Sequence, residues 1–240
     1  MLILSFETSA KACSAALTQD GRLLGECYQN TGLTHSQTLL SMAEELMRTC
    51  QKTVSDLTAV AVAAGPGSFT GIRIGVSAAK GMAWGRQLPC CGVSTLEAMA
   101  QNARTFDGTV VCAMDARRSQ VYNALFRWEG GALLRLCPDR AIGLEELTEE
   151  LLTDPSPKLV VGDGAQLCCD YLTAHGIPCR PAPENMRYQS AVGVALAAED
   201  MAHRGETVSS RELVPTYLRL SQAERERLAR GLPITLEREK

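Results

Sequence analysis

The sequence lacks several patterns that would assign it at once to a common class of protein. No stretch approaches the ~20 apolar residues of a membrane-spanning helix, and the opening residues, MLILSFE, lack the basic and apolar regions of a secretory signal peptide. Its 10 cysteines include no Cys-x-x-Cys pair, the usual spacing of a zinc site. A net charge of -3 gives no general attraction to nucleic acid. We therefore expect a cytoplasmic protein whose cysteines act as small apolar residues.

The two halves of the chain repeat one order of predicted elements. The first half has three predicted strands, at 2–7, 13–17 and 22–29, followed by a helix at 36–50. A fourth strand at 59–64 then leads into a glycine-rich segment that opens a second helix, over 65–85. The second half has three predicted strands, at 110–115, 121–128 and 132–136, followed by a helix at 144–152. A strand at 159–161 then leads into a glycine-rich segment at 162–164. The repeat predicts an α/β fold of two similar lobes, residues 1–105 and 106–220, with a cleft between them and a charged tail over 221–240.

Acidic residues and glycines follow equivalent strands in both halves. Glu7 ends the first strand of the first half, and Asp115 ends the first strand of the second half. The glycine-rich segments read GPGSFTGIRIG at 65–75 and GDG at 162–164, and backbone amides at such loops can hold an anion. The first segment has neither Walker A nor Gly-x-Gly-x-x-Gly spacing. A tight strand-to-helix turn that holds no ligand is an equally good explanation of the glycines.

Two predicted helices of the first half carry more apolar surface than packing on one sheet needs. The first follows a capping-box pattern at 34–37, and the second is apolar or small nearly all round. The surplus face is covered either by the chain itself or by a partner, and a partner is the preferred interpretation. The predicted partner interface consists of Leu39, Leu40, Ala43, Met47, Ile72, Ile74, Val76, Ala78 and Ala79. Glutamate at Val76 or Ala79 is expected to abolish partner binding without unfolding the chain.

Five short motifs together resemble the TsaB family, also called YeaZ: LSFETS at 4–9, the segment at 65–75, MDARR at 114–118, GDG at 162–164 and PTYLR at 215–219. The resemblance covers about residues 1–220. It implies the actin-like ATPase (ASKHA) fold, in which two ribonuclease-H-like lobes lie in tandem. It also implies a non-catalytic subunit that dimerises with TsaD and supports transfer of the threonylcarbamoyl group to N6 of adenosine 37 in tRNAs reading ANN codons.

The same resemblance implies partners and ligands. TsaC makes threonylcarbamoyl-AMP, TsaD transfers the threonylcarbamoyl group, and TsaE is an ATPase that joins the complex. A homodimer through the same surface is a second arrangement, tRNA is contacted only through the complex, and no membrane is involved. No tightly bound cofactor is expected, and ATP or ADP with Mg²⁺ is a candidate ligand of the assembled complex. The predicted weak nucleotide contacts are Glu7, Thr8, Ser9, Asp115, Gly162 and Gly164, with Glu7 standing where the family usually has aspartate.

A missing metal motif separates this chain from TsaD. TsaD carries GVNHxxxH, whose histidines bind a catalytic metal, whereas residues 92–99 here read GVSTLEAM. Thr95 and Met99 replace the histidines and offer no imidazole nitrogen, so neither a metal nor a catalytic residue is expected. Two enzymatic alternatives stay open. One is an actin-like small-molecule kinase or ATPase that uses Glu7 and Asp115, and the other is a peptidase, for which Ser68 lacks a recognisable histidine partner.

Overall fold

The computed structural model describes residues 1–220 together with 224, 226, 227, 230 and 231. The rest of the predicted tail over 221–240 lies outside the described residues. The described part folds into two sheets, one from each half of the chain, and helices cover both faces of each sheet. No helix within this part combines the length and the apolar content that crossing a bilayer needs.

The first sheet sends alternate side chains into two different cores. Its strands are β1 (Leu2–Glu7), β2 (Cys13–Gln19), β3 (Arg22–Gln29), β4 (Ala59–Gly65) and β5 (Cys90–Ser94), in the order β3-β2-β1-β4-β5. Helices α1 (His35–Thr49) and α2 (Phe69–Trp84) cover the face that carries Leu4 and Phe6. Ile3 belongs to the opposite face, because successive side chains of a strand point to opposite sides.

The second sheet repeats this arrangement. Its strands are β6 (Thr109–Asp115), β7 (Gln120–Glu129), β8 (Ala132–Arg135), β9 (Arg140–Gly143), β10 (Lys158–Val161) and β11 (Arg180–Pro181), in the order β11-β10-β6-β7-β8, with β9 paired to β7. Helices α4 (Leu144–Leu152) and α5 (Ala165–Ala174) cover one face, and α3 (Thr95–Ala100) covers the other. A single turn, α6 (Glu184–Arg187), precedes α7 (Ala191–His203).

Strand order confirms the duplication that the sequence predicts. In each sheet the first strand of the half lies between its antiparallel hairpin partner and a parallel strand that arrives after a helix. Glu7 pairs with Ser14 at the end of β1, and Asp115 pairs with Val121 at the end of β6. The two acids therefore hold equivalent positions in two lobes of the same topology.

Helix α7 crosses the lobe boundary that the sequence suggests. It lies within residues 106–220, yet Val194, Ala197 and Ala198 pack on the first sheet, against its face containing Ile3. Ser14 Oγ of β2 accepts a hydrogen bond from the Ala191 backbone N–H at 2.8 Å. Six of the 13 residues of α7 are alanine or glycine, which lets it approach the sheet closely. The first lobe thus takes its second covering layer from the end of the chain.

After α7 the chain runs back along the first lobe without regular secondary structure. We call residues 208–219 the strap. Val208 exchanges two backbone hydrogen bonds with Cys90, at 2.8 and 2.9 Å, and Leu213 is buried in the core beneath α2. Lys80 Nζ of α2 donates a hydrogen bond to the Leu213 carbonyl oxygen at 2.9 Å. The strap therefore covers part of the α2 surface from within the chain.

Candidate functional site

Glu7 places a fully buried carboxyl group at the end of β1. Its Oε1 accepts a hydrogen bond from the Ser9 backbone N–H at 2.5 Å, while Oε2 has no hydrogen-bond partner among the residues that the structure describes. Burial raises the pKa of Glu7 to about 7, and the neighbouring charge of Asp163 acts in the same direction. The group is therefore divided between its neutral and ionised forms near neutral pH.

Thr8 and Ser9 form hydrogen bonds with the segment that opens α2. Thr8 Oγ1 donates a hydrogen bond to the Gly71 carbonyl oxygen at 2.8 Å, and the Ser9 carbonyl oxygen accepts one from the Ser68 backbone N–H at 2.7 Å. Ser9 Oγ is buried and has no partner within the described part of the chain. These contacts fix the end of β1 to the loop that opens α2.

Asp115 at the end of β6 and Asp163 just after β10 are two further acids in electrostatic contact near Glu7. Asp115 is exposed, and its Oδ1 accepts a hydrogen bond from the Arg117 backbone N–H at 2.7 Å. Burial raises the pKa of Asp163, and the charge of Asp115 raises it further, although Gln189 Nε2 donates to its Oδ1 at 3.0 Å. Asp163 therefore interacts electrostatically with both acids predicted from the sequence, Glu7 and Asp115. The sequence prediction missed it, although it stands between the two glycines of the GDG motif.

The glycines of the 65–75 segment are explained by close approach within the chain. A Cβ on Gly71 would lie 2.1 Å from the Thr8 carbonyl oxygen, and a Cβ on Gly65, whose φ is +128°, would lie 2.2 Å from the Thr216 carbonyl oxygen. Both distances are far below any contact that a side chain tolerates. The geometry favours the tight-turn explanation for these glycines over an anion cradle.

Gly162 and Gly164 pack in the same way against β6. A Cβ on Gly162 would lie 2.1 Å from the Ala113 carbonyl oxygen, and one on Gly164 would lie 2.9 Å from the Asp115 backbone nitrogen. These glycines bring β10 and the start of α5 close to the end of β6. Nucleotide contact at the six residues named from the sequence stays a prediction.

Thr95 and Met99 face the protein interior. Both are fully buried on α3; Met99 lies in the apolar cluster with Phe126, and Thr95 Oγ1 lacks a hydrogen-bond partner among described atoms. Over the described ranges, no three His, Cys, Asp or Glu residues are close enough to hold a metal ion. The absence of a metal remains an expectation from the sequence.

The predicted partner interface requires a correction. Six of its nine residues belong to the core between the first sheet and its helices: Leu39, Ala43, Met47, Ile72, Val76 and Ala79. They face the sheet because amphipathic helices bury one stripe against their own domain. Glutamate at Val76 or Ala79 would place a charge in this core, so we now expect these two variants to destabilise the monomer itself.

The other three predicted residues reach the surface. Leu40 of α1 is 55% exposed, and Ile74 and Ala78 of α2 are half-buried. Gly81 continues the Ile74 and Ala78 stripe at helical spacing, and nothing lies within 4 Å of where its Cβ would be. The sequence prediction missed Trp84, which is 67% exposed at the end of α2. We call Leu40, Ile74, Ala78, Gly81 and Trp84 the helix-pair surface.

Known proteins match this chain along nearly its whole length. The family model described as TsaD, tRNA N6-adenosine threonylcarbamoyltransferase, matches residues 29–225. The tRNA threonylcarbamoyladenosine biosynthesis protein TsaB of Bacillus subtilis (strain 168) is 34% identical over 228 residues, which are 93% of this chain and 96% of that protein. The chain belongs to the TsaB family. TsaB of Escherichia coli (strain K12) is also 34% identical over 228 residues, covering 91% of this chain and 95% of its own.

Solved structures agree with the TsaB assignment. YeaZ from Pseudomonas aeruginosa superposes with a TM-score of 0.77 at 28% identity, covering 90% of this chain and 99% of its own. The ethanolamine utilization protein EutJ from Carboxydothermus hydrogenoformans has a TM-score of 0.50 at 14% identity, over 82% of this chain and 90% of its own. The second likeness shows the fold alone. Together with the duplicated strand order, it agrees with the actin-like ATPase fold of two tandem ribonuclease-H-like lobes.

The cysteines of this TsaB-family chain behave as the sequence predicts. All 10 are free, and six of them are buried: Cys13, Cys90, Cys91, Cys112, Cys168 and Cys169. Burial raises the pKa of the Cys91 thiol to about 11 and that of Cys168 to about 12. Thiols of such high pKa carry almost no nucleophilic thiolate, so these residues act as small apolar side chains.

Proposed function

We propose that this chain is the non-catalytic subunit that dimerises with TsaD and supports transfer of the threonylcarbamoyl group to N6 of adenosine 37 in tRNAs reading ANN codons. One observation carries the proposal: 34% identity to a curated tRNA threonylcarbamoyladenosine biosynthesis protein over 93% of this chain and 96% of the relative. A match this long includes both lobes and the connections between them. The proposal further includes TsaE as a partner and tRNA contact only through the complex.

The interior position of Thr95 and Met99 supports a role without metal catalysis. A Cβ on Gly162 would lie 3.1 Å from Met99 Cε, so this side chain fills the space beside the GDG motif. A thioether in an apolar cluster is a poor ligand for the hard or borderline metals used in group transfer. The metal-binding histidines implied for TsaD therefore have apolar or uncharged replacements here that contribute to packing.

The helix-pair surface supports the proposed contact with TsaD. Ile74, Ala78 and Gly81 form a stripe of small or apolar residues, which lets another helix approach α2 closely. Leu40 and Trp84 add large exposed apolar side chains to the same helix pair. Aromatic residues are enriched at the centres of protein interfaces. A homodimer of this chain would use the same surface and would compete with TsaD.

The acids at the cleft fit weak rather than tight nucleotide binding. Glu7 Oε2 is a buried oxygen without a described partner, so it is able to coordinate a cation or to accept a hydrogen bond from water. The described acids are too far apart to form a three-ligand metal cage, and Mg²⁺ usually needs substrate phosphates in addition to one or two carboxylates. ATP or ADP with Mg²⁺ is accordingly proposed as a ligand of the assembled complex.

Charge substitutions on α2 test the proposed interface. Ala78→Glu is expected to leave the thermal unfolding of the chain nearly unchanged and to abolish co-elution with TsaD in size-exclusion chromatography. Ala174→Glu, an exposed alanine of α5 in the second lobe, is the matched control and is expected to co-elute normally. Ala79→Glu is expected to unfold the chain. Normal co-elution of a folded Ala78→Glu variant would overturn the proposed interface.

A reconstituted reaction tests the non-catalytic role. Purified chain, TsaD, TsaE, threonylcarbamoyl-AMP and tRNA are mixed, and each component is left out in turn. Modified tRNA is expected only when TsaD is present. Modification without TsaD would show that this chain is the transferase, and ATP turnover by the isolated chain that is lost in Asp115→Ala would favour the kinase or ATPase alternative.

The geometry of Ser68 argues against the peptidase alternative. Ser68 is the N-cap of α2, and its Oγ accepts a hydrogen bond from the Gly71 backbone N–H at 3.3 Å. A capping hydroxyl serves the orphan amides of the first helical turn. Among the described contacts of Ser68, none is with a histidine that would activate it as a nucleophile.

A further inference from the structure

The strap is attached to the first lobe where β4 ends and the glycine-rich segment that leads into α2 begins. The Thr216 backbone N–H donates a hydrogen bond to the Ala64 carbonyl oxygen at 2.7 Å, at the end of β4. The Thr216 carbonyl oxygen occupies the space that a side chain on Gly65 would need. Backbone atoms about 150 positions apart in the sequence are thus packed together at the end of β4.

Tyr217 fastens the strap to the first turn of α2. Its ring stacks on Phe69, with ring centroids 4.1 Å apart and planes inclined by 2°. Arg73 Nε donates a hydrogen bond to Tyr217 Oη at 2.8 Å, and its guanidinium lies 5.1 Å from the Phe69 ring centroid. The same guanidinium lies 5.6 Å from the Tyr217 ring centroid. Stacking, a hydrogen bond and a cation–π contact therefore meet at Tyr217.

Arg219 carries the strap across to the second lobe. Its Nη1 donates a hydrogen bond to the Ala116 carbonyl oxygen at 2.6 Å. Ala116 begins the tight loop between β6 and β7, in which Arg117, Arg118 and Ser119 all have left-handed backbones, with φ of 65°, 56° and 56°. Three consecutive non-glycine residues in this region are strained and persist only where surrounding contacts hold them.

We propose that Arg219 is a positioning residue that holds the 116–119 loop, and with it Asp115, in place from an anchor on the first lobe. Tyr217 supplies that anchor. Because the strap contacts the Gly65 loop and the Asp115 loop together, it fixes the two sides of the cleft relative to each other. The inference concerns the isolated chain and does not rest on the proposed partnership with TsaD.

Hydrogen exchange measured by mass spectrometry on the isolated full chain tests this role. Three amides of the loop are hydrogen-bonded: Ala116 N–H to the Gln120 carbonyl oxygen at 3.0 Å, Gln120 N–H to the Arg117 carbonyl oxygen at 3.2 Å, and Arg117 N–H to Asp115 Oδ1 at 2.7 Å. In Arg219→Ala, exchange in a peptide covering 115–120 is expected to rise on the order of tenfold. Exchange in α5 and the first sheet is expected to stay unchanged.

Two further variants separate positioning from general stability. Arg219→Lys retains a donor for the Ala116 carbonyl oxygen and is expected to restore most of the protection. Arg211→Ala removes an exposed arginine elsewhere in the same strap and is expected to leave exchange at 115–120 unchanged. Equal protection in Arg219→Ala and the native chain, an equal loss in Arg211→Ala, or faster exchange throughout the molecule would each overturn the proposal.

Discussion

At the scale of single residues, Glu7 differs from the other acids that the structure describes in being fully buried. A buried carboxyl group is expensive to ionise, because few compensating charges replace the lost water. Hydrogen bonding, chiefly from Ser9, offsets only part of that cost, and the pKa settles at about 7. The apolar run before Glu7 predicts that this acid lies at the end of a strand. Burial of both carboxyl oxygens could not be predicted, because it depends on the packing of segments distant in the sequence.

Glu7 is predicted to make the stability of the chain fall as pH rises. Its pKa is about 7 in the folded state, against 4.5 for an ordinary glutamate, so between these values the folded state retains a proton that the unfolded state has released. The contribution is fully present below pH 4.5 and is lost as pH rises through about 7. It amounts to roughly 3 kcal/mol at most. Glu7→Gln keeps an acceptor for the Ser9 N–H and removes the titration.

Urea unfolding of both proteins at pH 5 and pH 8 isolates this effect. The free energy of unfolding of the native chain, relative to Glu7→Gln, is expected to be lower at pH 8 than at pH 5. Glu44→Gln, on the exposed side of α1, serves as the control and is expected to track the native chain. A constant difference between native chain and Glu7→Gln across this range would contradict burial of the carboxyl group.

At the scale of elements, periodicity and turn residues predicted most strands and helices correctly. The predicted strands at 2–7 and 22–29 and the helix at 144–152 have the observed bounds. The start of α1 after Thr34 was also predicted, but the capping box is absent, since the Gln37 N–H bonds to the Thr34 carbonyl oxygen and not to its hydroxyl. Side-chain capping depends on rotamers that a motif does not determine.

Helix α2 shows why the interface was predicted only in part. Both of its faces are apolar or small, so periodicity alone could not tell which stripe packs on the sheet and which lies outside. Ile72 and Val76 lie inside, and Ile74 and Ala78 lie toward the surface. The strap was equally beyond prediction, because its contacts join residues more than 100 positions apart and no local pattern records them.

Two glycines of α2 are predicted to respond oppositely to alanine. At Gly71 the new Cβ would meet the Thr8 carbonyl oxygen at 2.1 Å, so Gly71→Ala is expected to destabilise the chain by about 1–3 kcal/mol. At Gly81 the Cβ meets nothing within 4 Å, and alanine restricts the unfolded chain and favours helix, so Gly81→Ala is expected to stabilise it by about 0.5–1 kcal/mol. Thermal unfolding of the two variants measures both effects.

The pair is internally controlled, because each variant makes the same chemical change in the same helix. Loss of stability in Gly81→Ala would mean that this side of α2 is already covered within the chain. A neutral Gly71→Ala would mean that the contact between the end of β1 and α2 is looser than the structure shows.

At the scale of the whole molecule, the two lobes are similar in topology but are not independent. Helix α7 comes from the second half of the sequence, and it buries one face of the first sheet. The strap then returns over α2 and reaches the second lobe at Ala116. A division at residue 105 follows the repeat in the sequence, yet it separates the first sheet from one of its two covering layers.

Residues 1–105 alone are therefore predicted not to fold into a stable domain. Without α7, one face of the first sheet would be exposed to water, although it is fully buried in the whole chain. This face carries Ile3, Ala61 and Val93. Circular dichroism and amide NMR of this fragment are expected to show no cooperative unfolding and poor signal dispersion, whereas the full chain is expected to show a single transition. Adding a separate fragment of residues 106–240, which carries α7 and the strap, is expected to restore dispersed signals. Cooperative unfolding of the 1–105 fragment by itself would show that α1 and α2 suffice to stabilise the first sheet, and that α7 joins a lobe already formed.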